Sequence, residues 1–253
     1  MDALLNILDY KTNGVNFKLI SPKFLKSTEK LPFVFYYHGW SSSVKNSLFL
    51  CKIFALNGFN VVIPEIINHD SRGTIDYMKK ISIKSYFWDT VFKTTEEFKE
   101  IYNFIKDLGF AAQKIGIIGS SMGGFIASGI FSENTFVNSI IILNGAISWG
   151  KAEKVFGSEK NSFIGNEIQK ERIFINDPIL KMNNLYERSI LILHGDSDTS
   201  VPLKIQNHSY KKLIQMNSDS ENIKMITFKN LNHSKPIEMI QIACEWFEKY
   251  LKI

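Results

Sequence analysis

Six short runs, "FVFYYHG" (33–39), "NVVIPE" (60–65), "KIGIIGS" (114–120), "SIIILNGA" (139–146), "SILILHG" (189–195) and "KMITFK" (224–229), recur along the chain. Several are apolar at nearly every position. A strand with one face in water alternates apolar and polar residues, so a run without that alternation must be covered on both faces. Helix-length segments separate the runs, at 45–57, 86–108, 122–132, 203–217 and 236–251. Strand and helix in alternation predict an α/β protein with a mostly parallel central sheet and helices on both faces. A further strand near "NFKLIS" (16–21) is expected to pair antiparallel at one edge.

One stretch interrupts the alternation. From Ile147 to about Glu187 no strand-type run occurs, and a segment of that length inside a compact domain is either functional or structured in its own right. It is read as a small helical cap inserted at about 147–187 into a single domain spanning 1–253. Its aromatic residues Trp149, Phe156, Phe163 and Phe174 are expected to form the cap's underside, with Trp149 as a candidate substrate contact.

The composition narrows the function. At 253 residues the chain can bury one substantial core, and 45% hydrophobic with 22% charged residues is the balance of a globular protein. The net charge of +5 comes from lysines and arginines scattered along the chain, which gives no basic stripe for nucleic acid. No apolar run reaches bilayer length, and the N-terminal "MDALLNILDY" lacks signal-peptide features, so neither a membrane nor export is expected and the default location is the cytoplasm. Cys51 and Cys244 lie far apart in apolar contexts, which argues against a disulfide framework or a thiolate metal site. No metal and no organic cofactor is expected.

The chemistry centres on "GSSMGG" (119–124). The pattern G-x-S-x-G puts Gly119 and Gly123 around Ser121, between a strand and a helix, where a sharp turn exposes the central hydroxyl. Ser121 is the candidate nucleophile, and Ser120 should point elsewhere. A serine hydroxyl needs a base, and the base needs an orienting acid. On this kind of sheet the acid follows the serine and the histidine comes last. "LILHGDSDTSVP" (191–202) supplies Asp196 and Asp198 in the loop after a strand, and "FKNLNHSKP" (228–236) supplies His233. Asp196, close to the strand end, is expected to cap amides of its own turn, which leaves Asp198 to reach the histidine. His38 and His194 read as turn supports, His208 as a helix surface residue, and His69 is left open.

An oxyanion needs backbone donors. The amide of Met122 follows the nucleophile, and "HGWSSS" (38–43) offers the Trp40 amide. On the site's rim, Arg72 of "NHDSRG" (68–73) either binds an anionic part of a substrate or pairs with Asp89 of "YFWD" (86–89) as a loop anchor, with the anchor favoured.

Together "YYHGWSSS", "VVIPE" with "HDSRG", "YFWD", "IGIIGSSMGG", "LHGDSDTSVP" and "NHSKP", in this order, resemble the α/β-hydrolase superfamily over nearly the whole chain. The resemblance is closest to the prolyl-oligopeptidase-like and dienelactone-hydrolase-like branch that includes small bacterial esterases of the YitV type. It implies Ser121 as nucleophile, Asp198 as acid and His233 as base, the family pattern H-G-x-x-D-x-x-V-P falling on His194, Gly195, Asp198, Val201 and Pro202. It implies hydrolysis of a small-molecule carboxylic ester through an acyl-enzyme. Peptidase or thioesterase action with the same triad, and a catalytically silent binding module, are the alternatives. Asp70 departs from the family's pattern and leaves its loop without an assigned role.

Overall fold

The computed structural model describes residues 1–25, 30–110, 114–159, 164–182, 188–217 and 221–252, with a few side chains at segment ends left aside. Its centre is an eight-stranded sheet of β1 (Leu5–Thr12), β2 (Val15–Pro22), β3 (Phe33–Tyr37), β4 (Asn60–Pro64), β5 (Ile115–Ser120), β6 (Ser139–Leu143), β7 (Ser189–Gly195) and β8 (Ile223–Phe228). The strand order is β1-β2-β4-β3-β5-β6-β7-β8. From β4 to β8 every pairing is parallel, and β2 meets β4 antiparallel, as expected from "NFKLIS". β1 is an addition to the sequence reading: it folds back on β2 through a turn at Asn13 and Gly14, both at positive φ. This is an α/β-hydrolase fold.

The all-apolar strands bury both faces, as their composition requires. Phe33, Phe35 and Tyr37 point into one core and Val34 and Tyr36 into the other. The same alternation holds in β6, with Ile140 and Ile142 opposite Ile141 and Leu143. Helices α1 (Val44–Leu56) and α8 (Ile237–Leu251) cover one face. Helices α2 (Lys80–Asp107), α3 (Met122–Glu133) and α7 (Leu203–Met216) contribute to the core on the other. No described helix is long and apolar enough to cross a membrane.

Between β6 and β7 the chain forms α4 (Trp149–Glu159), α5 (Glu167–Ile175) and the short α6 (Pro178–Lys181). Asp177 gathers the start of this segment to its end. Its carboxylate accepts from the amides of Trp149 and Gly150 and from the Ser148 hydroxyl, each at 2.9 Å, and so supplies α4 with the acceptors that a helix N-terminus needs. The segment is also pinned to α2. The Trp88 indole donates to buried Glu153 at 2.7 Å, Gln169 donates to Asp89 at 2.9 Å, and Arg172 pairs with Glu96.

Two glycines set how closely α3 approaches the sheet at β3 and β5. A methyl group on Gly123 would sit 2.0 Å from the Tyr37 carbonyl oxygen, and one on Gly119 would sit 1.9 Å from that of Gly123. These are contacts with backbone, which has no rotamer to give way. Gly123→Ala should therefore lower the unfolding free energy by about 3 kcal/mol or more. Urea unfolding would read this as a lower midpoint, and an unchanged midpoint would mean that α3 can back away from the sheet.

Candidate active site

Ser121 stands between β5 and α3 with φ 55° and ψ −118°, a backbone conformation that L-residues rarely adopt. The Gly119 and Gly123 contacts leave the chain no wider path, so the turn lifts the Ser121 side chain out of the sheet end. His233, in the loop between β8 and α8, brings Nε2 to 2.8 Å from Ser121 Oγ and Nδ1 to 2.7 Å from an Asp198 carboxylate oxygen. An ionised carboxylate can only accept, so Nδ1 carries the proton and Nε2 is free to accept from the serine hydroxyl.

Asp198 follows β7. Its second oxygen accepts from the amides of Ser200 at 2.8 Å and Val201 at 2.9 Å. Burial works to raise its pKa, but the bonds from His233 and the Val201 amide outweigh that effect and hold it below the usual carboxylate range. A carboxyl depressed in the folded state stabilises the fold above its ordinary pKa, and that contribution is lost as pH falls through the folded value.

Two asparagines join the loops that carry these groups. Asn232 Oδ1 accepts from the amides of Thr199 at 3.0 Å and His233 at 2.8 Å, tying the acid loop to the histidine loop. Asn144, at positive φ just after β6, donates to the Ser234 carbonyl at 2.7 Å and accepts from the Gly195 amide at 3.0 Å. Ser120 turns the opposite way: buried, it accepts from the Lys235 ammonium at 2.9 Å. Lys235 is exposed as a residue, yet its charged end reaches inward, and burial of that end lowers its pKa. Asn144, Asn232 and Lys235 are absent from the sequence reading, because each acts by joining loops that only the fold brings together.

Gly39 lies so close to Ser121 that a methyl on it would sit 3.0 Å from the Ser121 Cβ, so the loop between β3 and α1 that carries Trp40 passes against the Ser121 turn. The Trp40 indole donates to the Tyr77 carbonyl at 3.1 Å. Asp70 secures the other end of this loop, accepting from the Val44 amide at 3.1 Å with His38 Nε2 at 3.5 Å. That is the role its departure from the family's pattern left open. Buried His69 stacks on Tyr77, and burial pushes its pKa down to about 4, so it is neutral. His38 and His194 hold turns, through bonds with the carbonyls of Gly39 and Val201.

Several sequence expectations need correction. Arg72 is an anchor, as favoured, but its partner is Glu97: the guanidinium makes a bidentate pair at 2.6 and 2.8 Å and also donates to the Glu65 carbonyl. Asp89 is taken by Gln169. Trp149 does not reach the site, because its indole is buried and donates to the Phe125 carbonyl at 3.1 Å, and its ring borders a separate cavity with Arg172 and Glu96. Phe174 packs over Gly150 and under Lys154, and Phe163 lies outside the described residues. Among the described aromatics of the segment between β6 and β7 that the sequence singled out, Phe156 alone lines the cavity that holds Ser121 and His233. That cavity, of about 710 Å³, is otherwise walled chiefly by Trp40, Phe87, Met122, Phe125 and Ile164.

The sequence profile of the Prolyl oligopeptidase family matches residues 51–253, more than half of the chain. The chain belongs to the prolyl oligopeptidase family. Among curated relatives, "Putative esterase YitV" of Bacillus subtilis (strain 168) is 26% identical over 231 residues, 87% of this chain and 90% of that protein. "Esterase YjfP" of Escherichia coli (strain K12) is 23% identical over 233 residues, with the same coverage of 87% and 90%. The crystal structure of TT1662 from Thermus thermophilus superposes with a TM-score of 0.81 at 14% identity, over 98% of this chain and 99% of that one, a likeness of fold. In a family of hydrolases, a serine at a strained elbow with a histidine and a buried carboxylate in line can lose its proton and attack a carbonyl carbon.

Asp196 does not cap its own turn. It is exposed and accepts from the Ser197 hydroxyl at 2.8 Å, while the capping of the turn's amides falls to Asp198. Asp196→Asn should therefore change stability by no more than about 0.5 kcal/mol. A thermal melt of the variant checks this, and a larger loss would reveal a partner that the folded geometry lacks.

Proposed function

We propose that this chain is a serine hydrolase that cleaves a carboxylic ester through an acyl-enzyme on Ser121. The observation that carries the reading is the unbroken line of bonds from Ser121 Oγ to His233 at 2.8 Å and from His233 to Asp198 at 2.7 Å. The esterase names of the two curated relatives support the substrate class.

In the first step His233 Nε2 takes the hydroxyl proton as Ser121 Oγ forms a bond to the ester carbonyl carbon. The imidazolium that results is stabilised by Asp198, which stays ionised. Negative charge gathers on the former carbonyl oxygen, and the amides of Trp40 and Met122 are its donors. Met122 opens α3, and the first amides of a helix have no partner within it, so this donor is free for the charge. His233 then gives its proton to the departing alcohol. Water, deprotonated by the same nitrogen, attacks the acyl-enzyme and releases the acid.

Helices α4 to α6 form a cap over this site within one domain. Phe156 and Ile164 reach the cavity from it, and its fastening to α2 through Glu153 and Gln169 keeps the apolar wall in place.

Ser121→Ala should abolish both fluorophosphonate labelling and ester turnover, while Ser120→Ala keeps the label. A labelled peptide that maps to Ser120 would overturn the assignment. Asp198→Asn should lower turnover by a large factor, on the order of 10⁴, since the amide favours the wrong histidine tautomer. Steady-state kinetics with a 4-nitrophenyl ester reads this, and near-normal turnover would remove Asp198 from the mechanism.

A further inference from the structure

The cavity around Ser121 has a charge pattern that ester hydrolysis as such does not require. One wall is a face of α2 made by Lys80, Ile83, Lys84 and Phe87, an i, i+3, i+4, i+7 stripe. Phe87 is its inner end. It is buried, with its ring 5.4 Å from Phe125 and 5.9 Å from Trp40, the side chains that flank the nucleophile's turn. Moving outward at about 1.5 Å per residue, Lys84 stands about 4.5 Å and Lys80 about 10 Å farther along the axis.

Neither lysine has an anionic partner among the described residues. Lys79, Lys170 and Lys181 all form ion pairs, whereas Lys80 and Lys84 make no ion pair or hydrogen bond among the described residues. Among the described residues no aspartate or glutamate lines this cavity, so none of them opposes the two charges there. The placement of Lys80 also runs against local energetics. Lys80 opens the helix, whose first turn holds no acidic residue, and a cation at that position is disfavoured by about 0.3–1 kcal/mol, while Lys84 follows one turn on. In natural proteins departures from local rules are expected at functional sites.

We infer that the substrate is an ester bearing an anionic group, separated from the scissile carbonyl by an apolar segment, and that Lys80 and Lys84 select it by charge. The apolar part lies along Phe87 and Ile83, and the anion meets the lysines at the rim. This rests on the reading of Ser121 as an esterase nucleophile. The lysines stay partly hydrated, so they act by steering and by modest pairing rather than as a buried clamp.

Matched ester pairs test the inference and locate the anion. On the acyl side, mono-4-nitrophenyl suberate is compared with 4-nitrophenyl octanoate. On the alcohol side, the acetate ester of 8-hydroxyoctanoate is compared with octyl acetate. In one of the two pairs kcat/KM should favour the anionic member, and in the Lys80→Gln, Lys84→Gln double variant that anionic-to-neutral ratio should fall on the order of tenfold, the effect of two partly screened charges. The fall should appear in KM and shrink as salt is raised. A ratio that is the same in wild type and variant for both pairs would overturn the inference. The esterase reading fails by a different result, the absence of turnover on all four esters. Charge selection is then read by titration calorimetry of monomethyl suberate and methyl octanoate on Ser121→Ala protein, with and without the lysine pair; a preference for the anion that the lysines do not alter overturns it there.

Discussion

The whole site hangs from one backbone contact. Gly123 at the start of α3 lies against the carbonyl of Tyr37 at the end of β3, and Gly119 lies against Gly123 itself. With two glycines closing that gap, the residue between strand and helix is driven to positive φ, and Ser121 is that residue. The strain is local, while the eight-stranded sheet and two buried cores that hold it are extensive. The same contact brings the loop after β3 alongside, so that Gly39 lies against Ser121 and the two loops arrive by a single packing event. Parallel strand order does the rest, since β5, β7 and β8 end on one edge and deliver serine, aspartate and histidine to it.

Polar groups then fix what the sheet only brings near. Asn232 and Asn144 join three loops through their amides, and Lys235 joins the histidine loop to Ser120, the neighbour of Ser121 in the chain. On the opposite side Asp70 and Arg72 use charge for position: one carboxylate holds the start of α1, and one guanidinium holds α2 through Glu97 and the chain after β4 through Glu65. Each bond is modest by itself, about 1 kcal/mol for a neutral pair and more where a charge takes part. What they achieve together is a histidine with few orientations to choose from.

Much of this was legible in the sequence wherever a residue's role is set by its neighbours in the chain. "FVFYY" and "SIIIL" have no polar face to offer, so they must be central strands, and the β5–α3 turn is written in its glycines. Ser121, Asp198 and His233 follow from chain order plus loop position, and the fold brings them to within hydrogen-bonding distance. The misses have a common cause in tertiary context. β1 alternates weakly and gains its strand character only by pairing with β2, while the first turn of α2, "KISIKS", holds β-branched and charged residues that do not announce a helix. Trp149 looked like a substrate contact because aromatic residues in an insertion suggest a pocket wall, yet its indole found a carbonyl partner in the core. Arg72 chose Glu97 over the nearer Asp89 because the long α2 turns that carboxylate, and not the other, toward the loop.

The Asp177 knot has a consequence for how this protein can change. By binding Ser148, Trp149 and Gly150, it closes the segment between β6 and β7 at its base, so the sheet sees the same two anchored ends whatever the chain does between them. The entropic penalty of lengthening a closed loop grows only with the logarithm of its size, about 0.6 kcal/mol per doubling. The connection between α4 and α5 can thus change in length while serine, aspartate and histidine keep their spacing, provided that Trp149, Ala152, Val155, Phe156 and Ile173 stay in the core. New specificities can arise by redrawing the cavity's roof on an unaltered catalytic floor.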